Sequence, residues 1–253
     1  SNPKKTKSIT CRYHGRTFNL NGTLKSAPGF DNALDFPSER DDLRKFNSKE
    51  WMDFIFISLG DPIDINPVLD DMDSRLESFP FNQLSFSSSL SNEFEIDIHW
   101  AVYCENYLEG FHVPFVHKGL SKEINNNTYK TVILKNGCVQ FAEGYQTESI
   151  YGYYYWVFPN MMFNFYKWGL SINIIEPISI NQTKVRFLAY PISDDESSKR
   201  EISDLIRVEM EDQMVVKSVQ CGIESNFYKS GRYSPDHEKG VHHFHQILSQ
   251  YIK

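Results

Sequence analysis

The order of the periodic segments constrains this chain more than any other feature. Strand-like stretches at residues 84–89 and 93–99 lead into a helical pattern over 100–110. Long aromatic strands are expected at 148–158 and 161–168, and two more strands at 170–177 and 183–190. A helix then covers about 198–224. A last one starts at Ser234-Pro235, a capping residue followed by proline at the first helical position, and runs to about 251. Strands, a helix, more strands and then helices is the order of an α+β fold with an antiparallel sheet, not of alternating βαβ units. A single sheet wrapped against a long helix leaves room for a ligand between them.

The first quarter reads differently. Asn21-Gly22 between alternating apolar residues is a hairpin signal, and Asn136-Gly137 is a second one. Residues 53–59, DFIFISL, read as a buried strand, and 68–76 as a short helix. The Gly-, Asp- and Pro-bearing stretch 60–67 is the best boundary. The expected division is therefore 1–60 and 61–253.

At 253 residues with 40% hydrophobic and 23% charged side chains, a packed core is expected and disorder is not. The net charge of -7 argues against a nucleic-acid partner. No apolar run approaches the roughly 20 residues that span a bilayer, so no membrane anchoring is expected. Four scattered cysteines, Cys11, Cys104, Cys138 and Cys221, suit a reducing cytoplasm with free thiols. The opening SNPKKTKSIT has no initiator Met. Either the natural start has been removed or the leading Ser-Asn is foreign to it.

The chemistry concentrates in residues 105–117, ENYLEGFHVPFVH. His112 and His117 are separated by four residues that include Pro114, which cannot continue a helix. The chain should leave its helix near His112 and return His117 from a turn, so that both imidazoles reach one point. Two satisfied core or surface histidines would give the same spacing. A third candidate comes from the 198–224 helix, where an apolar stripe runs Leu205, Val208, Val215, Val219 and Ile223. Asp212 interrupts that stripe, and a carboxylate on a buried face needs a hydrogen bond, a salt bridge such as one to an Arg, or a metal. Glu209 and Glu211 are read as nearer the solvated side. Two histidines and one carboxylate form the facial triad of non-haem Fe(II) oxygenases; zinc accepts the same donors.

Cys11-Arg-Tyr-His14 supplies a C-x-x-H pair directly before a hairpin. A Rieske [2Fe–2S] centre takes two Cys on one iron and two His on the other, and this pair supplies one of each; alone it could equally be half of a zinc site or incidental. The His242, His243 and His245 group near Glu238 reads as a packed or solvated helix rather than a metal site.

Taken together, CRYHGRTFNLNG, WAVYCENYLEGFHVPFVH and MEDQMVVKSVQCGIES resemble, in order, three motifs of the α subunit of Rieske non-haem iron ring-hydroxylating oxygenases. The resemblance implies a helix-grip catalytic domain preceded by an all-β Rieske domain, present here in part. It implies mononuclear Fe(II) on His112, His117 and Asp212, and a [2Fe–2S] cluster for which Cys11 and His14 supply half the ligands. It also implies a homotrimer, a reductase or ferredoxin as electron donor, and O2 and a small molecule as substrates. Glu109 would bridge electron passage between subunits. Asn106, close by in sequence, is read either as tuning the iron ligands or as merely capping the local turn. The first cluster pair, C-x-H, is expected roughly 15–20 residues before Cys11, upstream of Ser1. Glu109, where many ring dioxygenases carry Asp, is similar to members acting on trimethylammonium substrates such as choline and carnitine, and SGRYSPDHEKGVHHFHQIL resembles the same branch.

The aromatic run from Ile150 to Trp168 could wall a pocket for a quaternary ammonium group by cation–π attraction, enclose an aromatic ring, or serve as sheet core. The competing functions are an aromatic-ring dioxygenase, a non-catalytic helix-grip binding module and a zinc-dependent hydrolase.

Overall fold

The computed structural model describes residues 5–145 and 149–252. Its packing separates two units, Ser1–Ile63 and Asp64–Lys253. The first is all-β. β1 (Ile9–Thr10), β2 (Thr17–Phe18) and β3 (Leu24–Ser26) form a small antiparallel sheet. Asn19 to Gly22 makes the tight turn between β2 and β3, with Gly22 at φ 88° donating to the Asn19 carbonyl at 2.9 Å. β4 (Asn47–Trp51) and β5 (Phe54–Ser58) form a separate two-stranded ribbon. The expectation of a buried strand here is overturned: Ile55 and Ile57 stand more than 60% exposed. Phe54, Phe56 and Ser58 alternate with them on the less exposed face, so the apolar run records pleating rather than enclosure.

The second unit begins with α1 (Asn66–Arg75) and β6 (Ser87–Ile96). α2 (Trp100–Tyr107) and a one-turn helix α3 (Val113–Val116) follow. An antiparallel meander comes next: β7 (Lys130–Leu134), β8 (Gly137–Glu143), β9 (Ile150–Val157), β10 (Met161–Tyr166), β11 (Gly169–Ser179) and β12 (Gln182–Pro191). Residue 148, where the first aromatic strand was expected to start, lies outside the described residues. β6 pairs beside β12, giving a seven-stranded order β6-β12-β11-β10-β9-β8-β7. The two strands expected over 84–99 are thus one. The chain closes with α4 (Glu196–Ile223), capped by the Asp195 carboxylate accepting from Ser198 N, and α5 (Lys239–Leu248). A long helix against an antiparallel sheet is the α+β architecture that the order of segments implied.

The sheet is covered on both faces. On one, Tyr155 donates to Asp71 of α1 at 2.7 Å, and Asp71 pairs with Arg75 at 2.8 Å. On the other, Ile202, Leu205 and Ile206 of α4 pack against Trp168 and Phe187. Burial alternates strictly along β12, as a strand with one core face requires. The terminal helix starts at Lys239, four residues later than the Ser234-Pro235 signal suggested. Glu238 folds back to accept from Ser234 N at 2.6 Å, making a turn before the helix begins.

Candidate metal centre and cavity

α2 ends at Tyr107, and the chain bends before α3. Pro114 does not terminate a helix here, as the sequence suggested. It sits in the first turn of α3, where its missing N–H costs nothing. His112 and His117 are the residues at the two ends of that turn, with Val116 N bonded to His112 O at 2.9 Å and His117 N to Val113 O at 3.0 Å. The two histidines thus bracket a single four-residue turn, and their rings lie 5.1 Å apart between centroids.

Asp212 of α4 meets them there. Its Oδ1 lies 3.4 Å from His112 Nε2 and 3.1 Å from His117 Nε2, and it accepts a 2.8 Å hydrogen bond from Asn106 Nδ2. The donor atoms of the three residues all lie within 4.8 Å of one another. Ligands bonded at roughly 2.1 Å and at right angles around one ion stand about 3 Å apart, so the contacts to Asp212 fit a facial arrangement. The outer nitrogens are held as well. His112 Nδ1 meets Glu109 Oε1 at 2.6 Å, and His117 Nδ1 meets Glu211 Oε2 at 2.8 Å. Glu109 Oε2 also accepts from the backbone N–H of Phe111 and of His112. Carboxylates on the far side of ligating histidines fix the tautomer and aim the inner nitrogen at the ion.

Burial opposes the Asp212 carboxylate, but hydrogen bonds and charge from His112 and His117 outweigh it and hold its pKa down to about 2. Burial likewise opposes the His112 imidazolium, yet Asp212 and Glu109 lift it to about 9; His117 is raised by Asp212 and Glu211 against the same opposition. The pattern describes a strongly anionic socket. The ion-pair partners described for Asp212 are His112 and His117, not an arginine.

Two sequence readings on α4 are corrected. Glu209 is not solvated: it is only 6% exposed, and Glu211 is bound to His117. The buried stripe of α4 runs Ile202, Glu209, Gln213, Val216 and Gln220, whereas Val219 and Ile223 are exposed. The face toward the sheet is therefore largely polar. It is satisfied by specific partners, such as His99 N donating to Gln220 at 3.0 Å.

A cavity of about 120 Å³ opens between α4 and the sheet, beside the triad. Its floor follows from strand register. Tyr154, Asn164 and Ser171 stand directly opposite one another across β9, β10 and β11, and so face the same side. Tyr107 donates to Asn164 at 2.7 Å, and Asn164 reaches Ser171 at 3.2 Å and Asn173 at 3.3 Å. Tyr129, Tyr154, Tyr166 and Phe187 supply ring surface. Of the aromatic run, Tyr154 and Tyr166 line the cavity; Trp156 is core, packed on Phe244. Gly110 lies between Glu109 and His112, and the ring of Tyr129 rests where its Cβ would be.

The other sequence candidates lie elsewhere. Cys11 and His14 are both exposed, on the turn between β1 and β2, where Cys11 N bonds Arg16 O at 2.8 Å. Of the terminal-helix histidines, His243 bonds Leu134 O at 2.9 Å, and His245 bonds Glu105 at 2.8 Å and the Tyr233 hydroxyl. Among the described residues, only His112, His117 and Asp212 form a cluster able to hold a metal.

Residues 85–253 match the family model described as ring hydroxylating alpha subunit (catalytic domain). The chain is 32% identical over 273 residues to the chloroplastic choline monooxygenase of Arabidopsis thaliana, covering 97% of this chain and 63% of the relative. It is 26% identical over 272 residues to the carnitine monooxygenase oxygenase subunit of Escherichia coli K12, covering 97% and 71%. A solved quaternary ammonium Rieske monooxygenase, described in connection with carnitine oxidation and inter-subunit electron transfer, superposes with a TM-score of 0.78 at 22% identity, over 99% of this chain and 74% of the other. This chain thus spans only about three fifths of the plant choline monooxygenases it matches.

Proposed function

The chain belongs to the ring-hydroxylating α-subunit family, and on that premise we propose that it is the oxygen-activating portion of a Rieske-type monooxygenase acting on a small trimethylammonium compound. One observation carries the reading: two imidazole nitrogens and one carboxylate oxygen converge at the edge of a cavity walled by aromatic rings. His112, His117 and Asp212 would hold Fe(II) at the edge of the cavity. Bound iron supplies O2 activation once electrons arrive. The protein's own share is positional. Glu109 and Glu211 aim the two rings, Asn106 holds Asp212 Oδ1, and the tyrosine-lined chamber excludes water while presenting a substrate C–H to the metal face.

The electron route belongs to the same proposal. Cys11 and His14 would supply half of a [2Fe–2S] centre, completed by a segment upstream of Ser1, with a reductase or ferredoxin as donor. In a homotrimer the electron would cross between subunits through Glu109, whose carboxylate contacts His112 directly. Cys104 and Cys138, buried and free, suit a reducing compartment such as the cytoplasm. No helix among the described residues is long and apolar enough to cross a membrane.

The test is anaerobic Fe(II) titration of this chain, followed by choline or carnitine turnover by a chain carrying the upstream segment and supplied with a reductase. One Fe(II) per chain and oxygen uptake coupled to hydroxylated product are expected. Failure to bind iron would leave the non-catalytic binding module, and preferential, hydrolytically active zinc would favour the hydrolase.

A further inference from the structure

Apart from the two histidines of the triad, the charged side chains around the cavity are acidic. Glu109, Glu209 and Asp212 line it, and among the described residues that line it none is a lysine or arginine. Glu109 and Asp212 are committed to the histidines; Glu209 is not. It sits on α4 one turn before Asp212, so the two project from the same face with Cβ atoms roughly 5–6 Å apart. Its carboxylate is buried and held only by neutral donors. Tyr103 OH and Asn173 Nδ2 (3.4 Å) reach Oε2, and Gln213 Nε2 reaches Oε1 at 3.1 Å.

An anion taken out of water without a counter-charge is costly even when hydrogen-bonded, and an apolar residue of similar volume would serve packing better. Burial pushes the Glu209 carboxyl up to about 7, which reflects that cost. Three donors nonetheless fix its orientation toward the ring-lined space. An oriented, desolvated anion beside aromatic faces is the arrangement that favours a cation lacking N–H groups, whose charge is spread over methyl surfaces.

We propose, resting on the oxygenase reading above, that Glu209 is a specificity-determining residue whose carboxylate meets the positive charge of the substrate's quaternary ammonium group and rejects neutral molecules of the same shape. Tyr103, Asn173 and Gln213 are positioning residues that hold it. With the cation between Glu209 and the tyrosine rings, an adjacent C–H falls beside the triad.

The experiment compares choline with its carbon isostere, in which a tert-butyl group replaces trimethylammonium. Binding of each is measured calorimetrically to the unaltered chain, to Glu209→Gln and to Glu209→Asp, with Co(II) titration of each as the measure of an intact triad. The unaltered chain should prefer choline by about 30-fold. Glu209→Gln should lose that preference while binding the neutral isostere and Co(II) unchanged, and Glu209→Asp should keep most of it. Equal weakening of both ligands in Glu209→Gln, or an unaltered chain without preference, overturns the proposal. So does loss of preference in a folded Glu209→Asp, which carries the test if Glu209→Gln does not fold. Co(II) binding is read separately. Its absence would strike the oxygenase reading alone, since the ligand comparison needs no metal.

Discussion

The turn carrying Cys11 and His14 and the pocket carrying His112, His117 and Asp212 make an instructive pair. In the sequence the two signals look alike: a short spacing between soft or nitrogenous donors. In the structure they differ in everything around the donors. Cys11 and His14 are exposed on a two-residue-strand hairpin, with backbone contacts but no described side-chain hydrogen bond to aim them. The triad is drawn from one long helix and a helical turn, and each histidine is gripped from behind by a carboxylate. Spacing nominates ligands; a shell of orienting partners makes them a site.

That contrast can be broken or sharpened experimentally. The largest effect is expected from Asp212→Ala, which should lower Fe(II) affinity by on the order of a thousandfold, because two neutral imidazoles alone make a poor hard-cation site; near-native affinity in calorimetry would dissolve the distinction. Next comes the energetic burden carried by the pocket. The Glu209 pKa is raised above that of an unfolded glutamate, so its stabilising protonation is complete below about 4.5 and lost as pH rises through about 7. Urea unfolding should therefore find Glu209→Gln more stable than the unaltered chain by up to about 3 kcal/mol near pH 8, with the gap closing toward pH 5. A constant gap would show that the charge is not what costs. Glu211→Gln should weaken Fe(II) binding by about 10–100-fold, since the amide fixes the His117 ring less well. Smallest of all, Cys11→Ser with His14→Ala should leave Fe(II) affinity of the triad within about twofold, as expected of exposed residues outside it. In a chain with the upstream segment, the same pair should abolish the absorption band of a [2Fe–2S] centre.

Much of the architecture was legible. α4 announces itself by length, and its observed start differs by two residues from the expected one because Asp195 caps it. The single strand β6 was split because its serine-rich run, Ser87 to Ser91, carries little apolar signal while still pairing with β12. The metal-ligand candidates were visible because a carboxylate interrupted an apparent apolar stripe. Glu209 and Glu211 were hidden for the converse reason. The face that α4 presents inward is itself polar, and its partners Tyr103, Asn173 and His117 come from distant stretches that no local period can connect. Strand register, likewise, was needed before Asn164 and Ser171 could be seen as neighbours of Tyr154.

Gly110 joins these two kinds of information at one point. Tyr129 occupies the space a side chain would fill there, and Glu109, the residue before the glycine, steadies the imidazole of His112, two residues after it. Any bulk added at this position must evict a wall of the cavity or tilt a prospective iron ligand. Chamber width and ligand aim therefore cannot drift independently: a lineage that enlarges the one at this spot must retune the other in the same step.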